Sequence, residues 1–328
     1  MRTQESFLRD ILRLVIWYPF RWLVRLLPVS AGIWCITRLG DLHYALSRRK
    51  RRWLYDNLLR LQPSIPPIRA HEEIRRYLRV HYLNQLIILV FPSLDLVCLQ
   101  KLLAWRGLEH LDAAQAQGRG VVLAHPHFGP VHLPLFALGA LGYPVKQIGK
   151  PSDAGLSWIG RRVAFKLRMR YEGKIPAEII PVGSDYRAVF KHLRAGHIVM
   201  ITADGAGDLQ QHGKFTPLTF CGHTVQFPLG AAKLAMRTNS VLLPLFVHPG
   251  TSTPWQCSIE KEICIPRNAD SDTAAENAAR QCVERYEQYV AAWPGCMHFL
   301  DTFAPGLLIT DQEPGGASTS LHESVDKC

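Results

Sequence analysis

From Gly118 to Val247 the chain alternates short β-like runs with longer helical stretches, and this alternation narrows the possible folds more than any other feature. Apolar runs at 121–124, 145–148, 179–182, 197–202 and 241–247 are separated by candidate helices near 130–141, 153–171, 184–194 and 227–237. Each helix then has to cross the sheet between neighbouring strands. The expected class is therefore α/β, a mostly parallel sheet with helices on both faces. The stretch 257–265 adds a candidate edge strand, and 273–292 reads as a closing amphipathic helix. Helical periodicity is also present over 68–90, after a proline-rich break at 63–67. With 328 residues the chain can bury a core without disulfide staples. Its eight cysteines contain no CxxC pair, which excludes a zinc ribbon or thioredoxin motif and suits reduced thiols.

Charge is distributed unevenly. The first 52 residues hold eleven Arg and Lys against three acids, a net +8 of the chain's +11. Arg9, Arg13, Arg21 and Arg25 fall four or eight apart, forming one stripe on a helix, among Trp17, Phe20, Trp22, Leu23 and Leu26. The longest uncharged run here, 26–37, has twelve residues, short of the roughly 18–20 needed to span a bilayer. Pro19 and Pro28 are expected to break it further. The pattern reads as interfacial helices, with arginines reaching lipid phosphates and aromatics at headgroup depth. The cluster Arg48, Arg49, Lys50, Arg51 and Arg52 adds a second anionic-membrane contact, worth about 1 kcal/mol per charge.

Helices packed on the core are the plainer alternative. A nucleic-acid patch lacks any accompanying RNA-binding signature or zinc finger, so no nucleic-acid partner is expected. Arginines interrupt the apolar run, which argues against a cleavable signal peptide. Three regions follow: membrane-interface helices over 1–62, an α/β domain over 63–304, and a mobile polar tail over 305–328.

The densest chemistry lies at 120–132, where an apolar strand runs into His125, Pro126 and His127, followed by Gly129, Pro130 and His132. Gly129 and Pro130 mark a turn into a helix, since proline suits a first helical turn. His127 thereby lies near a helix N-terminus, at the carboxyl end of a strand where α/β sheets bind ligands. An imidazole there can take a proton from a hydroxyl near neutral pH. His125, His127 and His132, with Asp204 or Asp208, could instead ligate a metal. The usual His-x-His-x-Asp-His hydrolase spacing is absent, however, and neither metal nor cofactor is expected. Ser184 lacks a GxSxG elbow, and the glycines at 205 and 207 form no dinucleotide fingerprint. His248, His298, Met200, Trp255 and Trp293 read as packed residues.

The strand, the HFG triplet and the apolar helix ending in LGYPV resemble the lysophospholipid acyltransferase superfamily, and more closely its lauroyl/myristoyl branch of lipid A biosynthesis. RRKRRWLYDNLLRLQP at 48–63 is similar to that branch's arginine-rich segment, and AGHIVMITADGAGD at 195–208 to its strand and acidic loop. FTPLTFCG at 215–222 and VLLPLFVHP at 241–249 are similar to its substrate-side signature. The resemblance implies a fatty-acyl transferase at the cytoplasmic face of a bacterial inner membrane. Its donor would be an acyl carrier protein or coenzyme A thioester, and its acceptor a lipid hydroxyl or amine.

His127 would be the general base, with backbone donors of the following helix holding the oxyanion. Lys150, Arg161 and Arg162 would grip an anionic acceptor. His125, Gly129, Asp208, Phe220 and Gly222 complete the implied substrate-binding set. The branch carries a carboxylate five positions after the base histidine, where this chain has His132. His132 remains a candidate catalytic partner, since a neutral imidazole can still accept a hydrogen bond, but it brings no negative charge, so full activity would need another acid to orient His127. Asp204 is favoured because it ends a predicted strand, over Asp208, Glu172 and Glu178. Without such an acid, the alternative is a weak or inactive lipid-binding relative of the same fold.

Overall fold

The computed structural model describes residues 7–149, 153, 155–204, 213–266 and 271–310. Lys150, Asp208, the glycines at 205 and 207 and the residues from 311 onward lie outside the described residues. The described strands are β1 (Leu103–Arg106), β2 (Val121–His125), β3 (Val145–Gly149), β4 (Glu178–Pro181), β5 (Ile198–Thr202), β6 (Phe215–Phe220), β7 (His223–Pro228), β8 (Val241–Pro249) and β9 (Trp255–Ile259). Seven of them form one sheet in the order β1-β9-β8-β2-β5-β3-β4, while β6 and β7 form a separate hairpin. Every neighbouring pair in the large sheet is parallel except β8 with β9. The α/β class with a mostly parallel sheet is thus observed.

Two expectations need correction. The run at 257–265 is not an edge strand: β9 ends at Ile259 and lies between β8 and β1, so β1 is the edge. Four residues, LAWR, are too short for a period-2 pattern to reveal β1. The β6–β7 hairpin likewise lies outside the expected strands, although 215–222 carries part of the family resemblance.

The helices are α1 (Phe7–Val15), α2 (Arg21–Leu26), α3 (Val29–Leu46), α4 (Arg48–Leu61), α5 (Pro67–Leu86), α6 (Leu96–Leu102), α7 (Leu108–Ala116), α8 (His132–Ala140), α9 (Lys166–Glu172), α10 (Arg187–Arg194), α11 (Gly230–Thr238) and α12 (Ser271–Ala292). Pleating divides the strand side chains between two cores. Val122 and Ala124 join α4, α10, α11 and α12 on one face, while Val121 and Leu123 join α2, α3 and α6 through α9 on the other. Helix α5 serves both faces, with Ile74 and Leu78 in the first core and Leu83 and Leu86 in the second.

Pro28 does break the N-terminal path, since Leu27 before it is extended and α3 starts after it. Pro19 does not. It lies in a π-helical turn, Ile16–Phe20, that carries α1 into α2. A widened turn leaves room for a residue that has no N–H to donate. Among the described residues no helix is long and apolar enough to cross a membrane.

The regions expected as separate units share contacts. Leu54, Leu58 and Leu61 of α4 are buried in the first core. At the other end, Ile309 is buried and Thr310 donates its N–H to the Thr224 carbonyl at 2.9 Å, so these two residues pack on the body.

Candidate active site

β2 is buried throughout and lies between β5 and β8. Its parallel register with β5 aligns His125 with Thr202, and the Ala203 N–H donates to the His125 carbonyl at 2.9 Å. Two residues beyond that aligned pair on each strand are His127 and Asp204. One carboxylate oxygen of Asp204 accepts from His127 Nδ1 at 2.8 Å, and the other from the His127 backbone N–H at 2.6 Å. Because the carboxylate only accepts, Nδ1 carries the proton and Nε2 keeps a free lone pair. The His127 side chain is 29% exposed, whereas that of Asp204 is 3% exposed. Substrate can therefore reach the imidazole while the acid stays shielded.

The electrostatics follow from this pairing. Burial pulls the His127 pKa down, but the charge and hydrogen bond of Asp204 outweigh it and leave the net value above 6.5. Burial raises Asp204, yet the imidazole and the two hydrogen bonds hold it below its ordinary carboxylate value. His125 is pushed down to about 4 by burial and then by the nearby His127, so it is neutral. Its Nδ1 donates to the Pro126 carbonyl at 3.2 Å.

A distant segment clamps the loop that carries His127. Phe128 bridges Met297, Gly129 N–H donates to the Cys296 carbonyl at 2.9 Å, and His298 N–H donates to the His127 carbonyl at 2.9 Å. His298 Nε2 donates to the Gly129 carbonyl at 2.6 Å. Burial, then His127, pushes the His298 pKa down to about 3, which keeps this ring neutral. Gly129 has φ of +66°, and a Cβ there would lie 2.2 Å from the Val247 carbonyl oxygen. Only glycine lets the loop lie this close to β8. Phe299 meets the His127 ring edge-on at 5.1 Å between centroids. The clamp is itself anchored by α4 and α5. Asn57 donates to the Leu300 carbonyl at 2.8 Å, Lys50 pairs with Asp301 at 3.0 Å, and Glu73 accepts from Gly295 N–H at 2.9 Å. His298, expected as a packed residue, instead holds the loop that carries His127, and no local pattern around it signals this role.

His132, expected as a catalytic partner of His127, is not its hydrogen-bond partner; it begins α8 and faces a different acid. Its Nε2 lies 3.7 Å from Glu172 on α9, and Arg168 holds that carboxylate at 2.5 Å. Burial and then Arg168 push His132 down to about 3, so the ring is neutral. His125, His127, Gly129 and Asp204 are thus gathered at one end of the sheet.

The other expected residues lie elsewhere. Arg161 and Arg162 are exposed on a π-helical turn, Gly160–Phe165, that packs beside α1. Phe220 is buried and stacks on Tyr286 at 5.0 Å, which makes it a core residue of the hairpin. Gly222 turns that hairpin with φ of +81°. Among the described residues no three His, Cys, Asp or Glu side chains are grouped to hold a metal ion.

A cavity of about 370 Å³ opens beside Asp204, between α10 and α11. Ile148, Val182, Phe190, Ile201 and Leu234 supply its apolar wall. The model of the family described as bacterial lipid A biosynthesis acyltransferase matches residues 4–302. The chain belongs to this family. Among its relatives, a phosphatidylinositol mannoside acyltransferase of Mycobacterium tuberculosis is 29% identical over 204 residues, 59% of this chain and 57% of that protein. A lipid A biosynthesis acyltransferase of Haemophilus influenzae is 25% identical over 197 residues, 60% of this chain and 57% of that protein. The chain thus matches little more than half the length of these curated relatives. A solved 1-acyl-sn-glycerophosphate acyltransferase from Thermotoga maritima aligns over 89% of this chain and 98% of its own, with 14% identity and a TM-score of 0.38.

Proposed function

We propose that this family member transfers a fatty acyl chain from a thioester donor to a hydroxyl or amine of a lipid acceptor at a membrane surface. The observation that carries this reading is the bidentate grip of Asp204 on His127 at the carboxyl end of the sheet. His127 Nε2 takes the acceptor's proton as its oxygen or nitrogen attacks the thioester carbonyl. The new C–O or C–N bond forms, the C–S bond breaks, and the imidazolium returns the proton to the leaving thiol. Asp204 stabilises that imidazolium and fixes its tautomer.

The backbone N–H groups of His127, Phe128 and Gly129 are already used, by Asp204, Pro126 and Cys296 respectively. The first turn of α8 adds little, because Leu133 N–H donates to the Pro130 carbonyl at 3.0 Å and Pro134 has no N–H, so the expected oxyanion donors at the start of this helix are largely used. The carboxylate missing at position 132 is replaced at position 204, which removes the reason to read the chain as inactive. The apolar cavity beside Asp204 suits a fatty chain leaving water.

Membrane binding is assigned to the N-terminal helices. Helix α1 buries no residue, and Phe7, Trp22, Leu26, Trp34 and Leu46 are exposed. The guanidinium of Arg21 lies over Trp22 at 4.8 Å and that of Arg38 over Trp34 at 4.9 Å, the mixture of cation and aromatic that suits a headgroup layer. Of the basic cluster, Arg48, Arg49 and Arg52 are exposed, whereas Lys50 turns inward to Asp301. The cytoplasmic face of a bacterial inner membrane is the proposed location, and the names of the relatives support a glycolipid acceptor.

The test is acyl transfer to a total lipid extract from labelled acyl carrier protein and coenzyme A donors, followed by mass spectrometry of the lipids. His127→Ala abolishes transfer while folding and vesicle binding persist. Transfer at the wild-type rate in that variant would reject the proposal.

A further inference from the structure

Helix α1 is turned inside out. Phe7, Leu8, Ile11, Leu12 and Val15 are all exposed, and the helix buries no residue. Its inward side carries Asp10 and Arg13, whose side chains are each 18% exposed and pair at 2.8 Å. Both meet Ser157, whose hydroxyl donates to Asp10 at 2.6 Å and accepts from Arg13 at 3.1 Å. The same hydroxyl accepts the Gly160 N–H at 2.9 Å. A Cβ at Gly160 would lie 3.1 Å from the Arg13 guanidinium, so the approach is close. Burial of an apolar stripe is what ordinarily holds a surface helix to its domain. Here a polar lock holds the helix, and the apolar side is left for another partner.

The segment that receives α1 continues the same surface. Trp158, Arg162, Lys166 and Arg170 recur every fourth residue from just before the π-helical turn to the last turn of α9. That spacing keeps them along one side, with Arg161 next to them. All five are exposed, Trp158 by 68%. Among the described residues no carboxylate pairs with any of these four cations. Glu172, at the end of α9, turns inward instead, to Arg168 and His132. The segment follows the carboxyl end of β3, the same end of the sheet that carries His127 and Asp204. Helix α9 thereby joins this surface to the catalytic loop.

We infer that Trp158, Arg161, Arg162, Lys166 and Arg170 form a bilayer-contact face on the α/β body itself, which with the outward side of α1 seats the catalytic end of the sheet on anionic lipid. This inference rests on the membrane reading, which assigned the contact to the N-terminal helices alone, and extends it to the rim of the active site. Exposed aliphatic side chains beside an aromatic ring and cations without carboxylate partners match a layer of phosphates over hydrocarbon. A nucleic acid would meet the cations and leave the apolar side of α1 in water. A second copy paired about a two-fold axis would set the cations against their own equivalents. Because Asp10, Arg13 and Ser157 join the two elements, α1 and the segment leading into α9 meet the bilayer together.

The experiment measures co-sedimentation of the full chain with vesicles of phosphatidylcholine, with and without phosphatidylglycerol. Lys166→Glu/Arg170→Glu is expected to bind the phosphatidylglycerol vesicles at least about tenfold more weakly, and wild-type binding to weaken as salt is raised. Binding to pure phosphatidylcholine stays within about twofold, since those headgroups carry no net charge. Transfer to a lipid extract dispersed in nonionic detergent also stays within about twofold, because both residues are exposed and away from His127. Lys166→Gln/Arg170→Gln gives a smaller loss in the same direction, and circular dichroism checks that both variants fold. Unchanged binding to the phosphatidylglycerol vesicles overturns the inference, as does an equal loss on both vesicle types or a loss confined to transfer in detergent. Leu8→Ser/Leu12→Ser separates the two membrane readings. If it abolishes vesicle binding while the charge-reversed variant binds like the wild type, the N-terminal reading stands and this one falls. A wild type that binds neither vesicle sinks both, and leaves acyl transfer in detergent standing.

Discussion

Asp204→Asn isolates the grip that orients His127. The carboxylate accepts from two donors, Nδ1 at 2.8 Å and the backbone N–H at 2.6 Å. A carboxamide has one oxygen and one NH2, so it cannot accept from both. If its oxygen stays on the backbone N–H, its NH2 donates to Nδ1. The ring proton then moves to Nε2, which removes the lone pair needed for catalysis. The same change in a Ser-His-Asp triad costs about 10⁴ in rate, or about 5 kcal/mol at 1.36 kcal/mol per tenfold. The expected kcat therefore falls by about three to four orders of magnitude.

The pH profile gives an independent readout. In the wild type His127 is held above 6.5 by Asp204, so the acidic limb of kcat/KM has its midpoint above 6.5. With the charge removed, burial is the main remaining influence, and the limb moves below 6.5. Steady-state transfer across a pH series measures both. A variant within tenfold of wild type, with an unmoved limb, would refute the assignment of Asp204.

Three other outcomes follow from the packing. Gly129→Ala forces a Cβ to 2.2 Å from the Val247 carbonyl at a residue with φ of +66°, so thermal unfolding should show a loss of more than about 2 kcal/mol, together with reduced transfer. His298→Leu leaves the Gly129 carbonyl without its 2.6 Å donor, at a cost of about 1–3 kcal/mol. His298→Asn can restore an N–H donor, so it should recover most of the stability and kcat, with KM unmoved in both variants. His132→Glu places a second carboxylate beside Glu172, with Arg168 as their shared cation. Chemical denaturation should show a loss of about 1–3 kcal/mol. Repulsion holds one carboxyl protonated with a raised pKa, so this loss deepens as pH rises and is smallest in acid.

Much of the architecture was legible because it is written locally. Apolar runs of four to seven residues between helical stretches encode a sheet covered on both faces, and five of those runs match β2, β3, β4, β5 and β8 to within two residues. The position of Asp204 just past a strand, and of His127 just past another, also follows from pattern alone. Local pattern does not encode which strands become neighbours. Parallel pairing of β2 with β5, aligned at His125 and Thr202, brings together two residues 77 apart in sequence. That register decides that Asp204, and not His132, is the partner of His127, while α9 gives His132 a separate acid, Glu172.

The same division holds for the parts that sequence reasoning missed. The clamp from His298 reaches back 169 residues to Gly129, and the outer position of β1 depends on a four-residue strand joining β9. Periodicity reports which side of an element is apolar, since that depends on neighbours a few residues away. Pairing and close approach depend on which distant surfaces fit together with their backbone polar groups satisfied, and only the folded chain decides that.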